Sequence, residues 1–185
     1  MGHDFLQAYE DHVWHVYGFF TYRGASRADA EDLTQVTFER ALRAWGRFDE
    51  RKGTLAGWLL TIARNALVDH RRRDRSRPSR SLSGDEVSEA ELPTTPGPAE
   101  LSAGLEPELA SALDELSQRD REVLALRFGA DLRGPEIAEM LDLSLSNVQQ
   151  ILSRALRKLR ATLESMPANM DAPPKPGDEI GERRP

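Results

Sequence analysis

The chain of 185 residues contains no cysteine, and aromatic residues make up only 6% of it. The lack of cysteine excludes disulfide frameworks and cysteine-based zinc sites and favours an intracellular location. No apolar run approaches the ~18–20 residues that a membrane-spanning helix needs. The first residues also lack the uninterrupted apolar stretch of a secretion signal. These absences predict a cytoplasmic protein with no membrane insertion.

Catalytic signatures are missing as well. The sequence has no glycine-rich phosphate loop, no nucleophile elbow and no paired-carboxylate motif. His12 and His15 form the only close histidine pair, beside Asp11, and no convincing third metal ligand accompanies them. We therefore expect no catalytic residue, no metal site and no cofactor, and a nucleic-acid hydrolase is the weakest functional hypothesis.

The net charge of −6 is distributed unevenly along the chain. Residues 77–110 hold seven acidic and two basic side chains, residues 64–77 hold six arginines, and residues 154–160 hold four basic residues without an acid. Screening limits the reach of exposed charges to ~8–10 Å, so local clusters decide phosphate contact. Each basic cluster suits nucleic-acid binding, and each also fits an ordinary solvated helix surface.

Apolar residues recur at three- and four-residue steps in both halves of the chain and predict helices there. A Pro/Ser/Glu-rich stretch lies between these halves, and the C-terminal residues are similarly too polar to build a core. The expected fold class is all-α, with two small helical domains joined by a long flexible linker. The expected boundaries are 1–76 for the first domain, 77–107 for the linker, 108–165 for the second domain and 166–185 for a disordered tail.

The block from Pro135 to Arg160 has the pattern of two helices joined by a turn of three or four residues. Pro135 suits a first helical turn, and Ser144 suits an N-cap with Asn147 three residues further on. The expected buried stripe of the second helix is Val148, Leu152, Ala155, Leu156, Leu159 and Leu163. Residues that fall mostly outside it, of types that reach base edges and phosphates, are Gln149, Gln150, Ser153, Arg154 and Arg157. A helix-turn-helix is predicted, although any small helical bundle can share these features.

Two further helices carry candidate binding residues in the first domain. One is expected to bury Leu33, Val36, Thr37, Ala41, Leu42 and Trp45 and to expose Asp29, Glu31, Asp32, Gln35 and Glu39. Acids in a first helical turn also stabilise the helix dipole, which is the simpler explanation for Asp29, Glu31 and Asp32. The other combines Trp58, Arg64 and Asn65, which suit an unstacked base. Trp58 fits a core position equally well.

Four segments carry a resemblance to a known family. These segments are DAEDLTQVTFERAL, GWLLTIARNALVDHRRR, LSQRDREVLALRF and EIAEMLDLSLSNVQQILSRALRKL. They resemble, in this order, segments of bacterial extracytoplasmic-function (ECF) sigma factors. The resemblance implies a promoter-specificity subunit that binds core RNA polymerase and promoter DNA and is regulated by an anti-sigma factor. It also implies that the acidic linker threads toward the polymerase active site and RNA exit channel.

The resemblance assigns roles to individual positions. Core polymerase docking is implied for Asp29, Asp32, Gln35 and Glu39. Recognition and melting of the minus-ten element are implied for the segment from Phe48 through Asn65 and, by position, for Trp58, Arg64, Asn65, Arg71, Arg72 and Arg73. Recognition of the minus-thirty-five element is implied for Ser146, Asn147, Gln149, Gln150, Ser153, Arg154 and Arg157.

The chain departs from the family pattern in its second domain. Gln149 stands where a basic residue is common, Ile151 where arginine is common, and Asp142 where the turn often has glycine. Fewer charges predict fewer phosphate contacts, and Ile151 is either core or an exposed apolar contact. The alternative function is a stand-alone helix-turn-helix regulator, which usually dimerises on a palindrome and needs neither base capture nor polymerase docking.

Overall fold

Three helices form the N-terminal half of the structure. The computed structural model describes residues 4–76 and 105–166, without the side chains of residues 74–76. Helices α1 (Phe5–Tyr22), α2 (Arg27–Ala44) and α3 (Leu55–Ser76) are accompanied by short 3₁₀ turns at Trp45–Arg47 and Glu50–Lys52. Ser26 caps α2 by accepting the backbone N–H of Asp29 at 3.1 Å.

Four helices form the C-terminal half. They are α4 (Pro107–Asp114), α5 (Gln118–Leu124), α6 (Gly134–Leu141) and α7 (Leu145–Ser165), and a π turn (Ala125–Gly129) follows α5. Residues 142–144 join α6 to α7, which confirms the helix-turn-helix prediction. The described ranges contain no strand, so the predicted all-α class is confirmed. Most of the predicted linker and tail, residues 77–104 and 167–185, lies outside the described residues.

The two halves pack on each other and share one hydrophobic core. Phe19 and Phe20 of α1 belong to the same buried cluster as Leu126 of the π turn. The backbones approach most tightly at Gly18 and Gly129, where a Cβ added to Gly129 would lie 2.5 Å from the carbonyl oxygen of Gly18. A side chain on either glycine would therefore push the halves apart. We call this contact, between α1 and α3 on one side and α5 and the π turn on the other, the seam.

A second, smaller cluster holds α7 against α4 and α5, with Leu113, Leu124 and Ala155 at its centre. The predicted stripe of α7 is correct for Val148 and Ala155, but Leu156 and Leu163 are 43% and 37% exposed. They lie to one side of the inward face, because that face follows Val148, Ile151 and Ala155 around the 3.6-residue period. Ile151, for which the sequence left two readings, is core at 5% exposure.

One apolar residue of α2 also departs from the prediction. Leu42 was expected to face inward, but it is 57% exposed. The buried face of α2 follows Ala30, Leu33, Thr37 and Ala41, which places Leu42 roughly a quarter turn or more outside it. Leu42 consequently adds an apolar side chain to the surface that carries the predicted polymerase-docking residues.

Candidate nucleic-acid interface

A left-handed residue sets the turn between α6 and α7. Asp142 has φ 52°, and the N–H of Leu143 donates to the carbonyl oxygen of Ala138 at 2.9 Å. Asp is one of the few residues besides glycine that adopts this conformation routinely. Ser144 then caps α7 by accepting the backbone N–H of Asn147 at 3.2 Å. The turn therefore ends α6 abruptly and lets α7 begin at Leu145. The first polar residues of α7 are exposed to solvent.

The outward face of α7 is polar along the first half of the helix. Val148, Ile151 and Ala155 are buried on the opposite face. Arg154 forms an ion pair with Asp120 of α5, yet its side chain stays 60% exposed. The residues predicted to read the upstream element are all exposed: Ser146, Asn147, Gln149, Gln150, Ser153, Arg154 and Arg157. The structure brings them together on one surface.

Aromatic rings line a cleft where the segment after α2 meets α3. The ring centroids of Phe48 and Trp58 lie 5.4 Å apart, and those of Trp45 and Trp58 lie 6.1 Å apart. The cleft has a volume of about 760 Å³, and its walls include Lys52 and, from α6, Met140. Trp58 is only partly buried, so it packs against the core and lines the cleft at once. A planar ring in this cleft could contact the rings of Phe48 and Trp58, which both belong to its lining.

One face of α3 begins at the cleft and becomes solvent-exposed further along the helix. Trp58, Thr61, Asn65, Val68 and Arg72 follow one another at three- and four-residue steps, so they form a single stripe. Thr61, Asn65 and Arg72 are exposed, and Val68 is 64% exposed. The exposure of Asn65 does not fit a buried structural amide. Asn65 is instead available two helical turns, about 10 Å, from Trp58.

A second face of α3 carries arginines into the seam. Arg64 Nε donates to Glu122 Oε1 of α5 at 2.9 Å. Arg71 Nη1 donates to Gln118 Oε1 at 3.0 Å, and its Nη2 donates to the carbonyl oxygen of Arg23 at 3.0 Å. The residues predicted to act at the minus-ten element are therefore divided, since Arg64 and Arg71 contact the C-terminal half while Asn65, Arg72 and Arg73 are exposed.

Arg23 lies beneath these arginines and was not singled out from the sequence. It is 7% exposed, and its Nη1 donates to the carbonyl oxygen of Gln118 at 2.8 Å. Burial, reinforced by the nearby charge of Arg71, lowers the pKa of the Arg23 guanidinium to about 10. The group stays charged at neutral pH. A single arginine before a glycine at a helix end carries no sequence signal for such a position.

The predicted docking residues lie along α2. Asp32, Gln35 and Glu39 are exposed, and Gln35 Nε2 donates to Glu39 Oε1 at 3.4 Å. Asp29 differs from them, because its carboxylate accepts from the Ser26 hydroxyl at 2.7 Å and lies 3.4 Å from His70 Nε2. Asp29 also lies in the first turn of α2, where an acid stabilises the helix dipole, the simpler explanation given for it from the sequence. The exposed face of α2 that carries Asp32 and Glu39 continues to the exposed side chain of Leu42.

Two further properties of the described residues concern metal binding and membrane crossing. Across residues 4–76 and 105–166, no group of three or more His, Asp or Glu side chains lies close enough to hold a metal ion. Over the same ranges, no helix combines the length and apolarity that crossing a bilayer requires.

Comparison with known proteins agrees with the two-part organisation. The family model for Sigma-70 region 2 matches residues 8–77, and that for Sigma-70 region 4 matches residues 112–161. ECF RNA polymerase sigma factor SigL of Mycobacterium tuberculosis is 31% identical over 85% of this chain and 88% of its own length. ECF RNA polymerase sigma factor BldN of Streptomyces coelicolor is 31% identical over 86% of this chain, which spans only 60% of BldN.

A solved structure shares the fold. CnrH, crystallised in complex with the cytosolic domain of CnrY, superposes with a TM-score of 0.62 at 26% sequence identity, over 88% of this chain and 89% of CnrH. The residues that the two family models match include both the aromatic cleft and the helix-turn-helix. The chain therefore belongs to the sigma-70 family, in the group of ECF RNA polymerase sigma factors.

Proposed function

We propose that this chain binds core RNA polymerase, recognises promoter DNA and helps to open it for transcription initiation. One observation carries the proposal: a single chain combines a helix-turn-helix whose outward face is polar with an aromatic cleft that continues into exposed Asn65. A stand-alone regulator needs the first surface and has no use for the second. Catalysis of RNA synthesis then belongs to the polymerase, in the cytoplasm.

The first half of α7 is proposed to read the upstream promoter element. A helix enters the major groove of B-DNA with its N-terminal residues at base edges. Gln149 and Gln150 can pair with adenine through bidentate hydrogen bonds, whereas Arg154 and Arg157 suit guanine or phosphate. Because basic residues are few on this face, binding depends on base edges and on polymerase more than on counterion release.

The aromatic cleft is proposed to hold a base that leaves the duplex. Stacking an unpaired base on an aromatic ring is worth about 1–3 kcal/mol, which offsets part of the energy of unpairing. Phe48 and Trp58 supply the rings, and the Asn65 amide can donate and accept at the edge of a base in the same strand. Arg72 and Arg73 lie further along α3, where they suit the backbone of the adjoining duplex.

Polymerase docking is proposed for the exposed face of α2. Asp32, Gln35 and Glu39 present acid and amide groups, and Leu42 adds an apolar contact beside them. A basic surface with an apolar centre would complement this face. Asp29 contributes less directly, since Ser26 and His70 already engage its carboxylate.

The closed seam implies a step before DNA contact. Arg64 and Arg71 are bonded to Glu122 and Gln118 inside the seam, so a DNA duplex can engage them fully only if these contacts break. We propose that the halves separate when polymerase binds, with residues 77–107 as the linker between the functional domains 1–76 and 108–165. We also propose that the closed form suits capture by an anti-sigma factor; CnrH, which shares the fold, was solved in complex with another protein, the cytosolic domain of CnrY.

In vitro transcription tests the proposed function. Core polymerase is mixed with this chain on a library of genomic fragments, and RNA start sites are sequenced. We expect discrete starts that require the chain and share two upstream elements. Tight, specific duplex binding by the free chain at physiological salt, with no chain-dependent transcript, would instead establish the stand-alone regulator.

A further inference from the structure

A small cavity lies in the seam among the arginines. Its volume is about 140 Å³, and its polar lining consists of Arg23, Arg64, Asn65, Arg71 and, from the C-terminal half, Glu122. The volume matches roughly four or five water molecules at about 30 Å³ each. It accommodates one small oxyanion and is too small for a nucleotide. We call it the seam pocket.

One lining residue of the seam pocket, Arg23, is almost fully buried. Arg23 is 7% exposed, and its Nε is buried without a hydrogen-bond partner among the described residues. Its Nη1 and Nη2 donate to the main-chain and side-chain oxygens of Gln118 at 2.8 and 3.4 Å. A buried donor of this kind normally indicates a bound water or ion. Beside three guanidinium groups, an anion is favoured over a neutral water.

The charges around the pocket are unbalanced. Arg23, Arg64 and Arg71 face it, while Glu122 is the carboxylate in its lining. Glu122 is shared, because it accepts from Arg64 at 2.9 Å and from Arg119 at 3.3 Å. Arg121, which also acts on Arg23, has Asp114 at 2.8 Å. A dianion would therefore meet net positive charge in a partly buried site.

We propose that the seam pocket binds a tetrahedral phosphate-type dianion, with Arg23, Arg64 and Arg71 as its donors. Planar guanidinium groups match phosphate oxygens through paired hydrogen bonds. A free phosphate is favoured over a DNA backbone phosphate, because Glu122 of the C-terminal half helps to enclose the pocket. A ligand that binds only the closed form shifts the population toward it. Phosphate would thus hold the seam shut.

Titration of the full chain with inorganic phosphate tests this inference. Binding is followed by calorimetry and ³¹P NMR at constant ionic strength, with chloride as the reference anion. We expect saturable binding with one site and a rise in unfolding temperature. Arg71→Gln and Arg64→Gln should each weaken binding by about tenfold to a hundredfold, as loss of a charge-assisted hydrogen bond predicts. Arg27→Gln is the matched control, since Arg27 is a surface residue paired with Glu31.

Each other outcome would overturn the proposal. Phosphate that does not saturate, or an equal loss of affinity in Arg27→Gln, would show a general charge effect. Binding of a short single-stranded oligonucleotide that phosphate cannot displace would assign the arginines to backbone phosphate alone. Circular dichroism establishes that Arg71→Gln and Arg64→Gln are folded. No polymerase is present, so a negative result leaves the proposed function untouched.

Discussion

Helices α3 and α7 are both predicted to contact promoter DNA, yet the closed structure presents them differently. Every predicted upstream reader on α7 is exposed. On α3, Asn65, Arg72 and Arg73 are exposed, while Arg64 and Arg71 are bonded to α5. The closed form therefore exposes all the predicted upstream readers, of which Arg154 pairs with Asp120 of its own half, but only some of the residues predicted for melting. The proposed opening of the seam on polymerase binding would complete the surface for melting, whereas the upstream readers are exposed before that step.

The difference has a physical origin in what each helix buries. The inward face of α7 is aliphatic, so its predicted readers stay exposed, although Arg154 also pairs with the buried Asp120 of α5. The seam-facing side of α3 carries Leu60, Ala63 and Leu67 together with Arg64 and Arg71, which need acceptors when the halves close. Glu122 and Gln118 supply those acceptors. The same contacts that satisfy the arginines keep them from DNA.

The largest expected effect is the loss of core polymerase binding, on which the proposed roles of both α3 and α7 depend. Asp32→Lys with Glu39→Lys should weaken core binding by about a hundredfold, because like charges across an interface cost several kcal/mol. The free energy of unfolding should change by no more than about 0.5 kcal/mol per exposed site. Glu10→Lys with Asp11→Lys, which reverses two exposed acids on α1, is the control. Equal core affinity of the two double variants would refute the docking assignment.

Asn65→Ala and Gln150→Ala test whether α3 acts in promoter opening and α7 in formation of the closed complex. Promoter opening should fall by about tenfold, since a bidentate amide contact to a base is worth ~1–3 kcal/mol. Stability should hold, because alanine is the better helix former by roughly half a kcal/mol. Gln150→Ala should instead weaken the closed complex. Permanganate footprinting measures promoter opening, and gel shifts of the holoenzyme measure closed complexes. If both variants impair the same step, the assignment of opening to α3 and of closed-complex formation to α7 is contradicted.

Gly18→Ala tests whether the closed form depends on the tight backbone contact. The added methyl would collide with the carbonyl oxygen of Gly129, and overpacking of this kind costs about 1–3 kcal/mol. The unfolding temperature should fall by roughly 2–4 °C for each kcal/mol. Gly46→Ala is the matched control, because its Cβ would meet nothing within 4 Å. An unchanged unfolding temperature in Gly18→Ala would mean that the seam is not packed in solution.

Glu122→Gln is the mildest way to release the melting surface. Arg64 loses its partner, so the closed form should weaken by about 1 kcal/mol. The free chain should then bind single-stranded DNA a few times more tightly, which fluorescence anisotropy measures. Glu31→Gln removes the same charge from a surface pair away from the seam and should change neither property. An increase that is equal in both variants would be a net-charge effect.

Local sequence signals predicted most elements of this fold. Ser144 acts as the expected cap, and the three-residue turn at Asp142 separates α6 from α7. Amphipathic spacing also predicted the outward face of α7. It failed for Leu42 and Leu156, because both lie at the edge of a stripe where burial depends on neighbouring helices.

The seam could not be predicted from the sequence. Arg64 and Glu122 are 58 positions apart, so no local pattern links them. Gly18 lies inside a helical pattern where glycine is usually unfavourable, and only the approach of Gly129 explains it. The resemblance to ECF sigma factors assigned Arg64 and Arg71 to DNA. Their partners in the closed form follow from tertiary packing alone.

The distance between the halves tests the central claim most directly. The chain has no cysteine, so Glu10→Cys on α1 and Ala161→Cys on α7 provide two exposed and unique labelling sites. Fluorescence energy transfer is measured on the free chain, with core polymerase and with promoter DNA added. We predict high transfer in the free chain and a marked fall when polymerase binds. High transfer that persists in a transcribing complex, or low transfer in the free chain, would contradict the account.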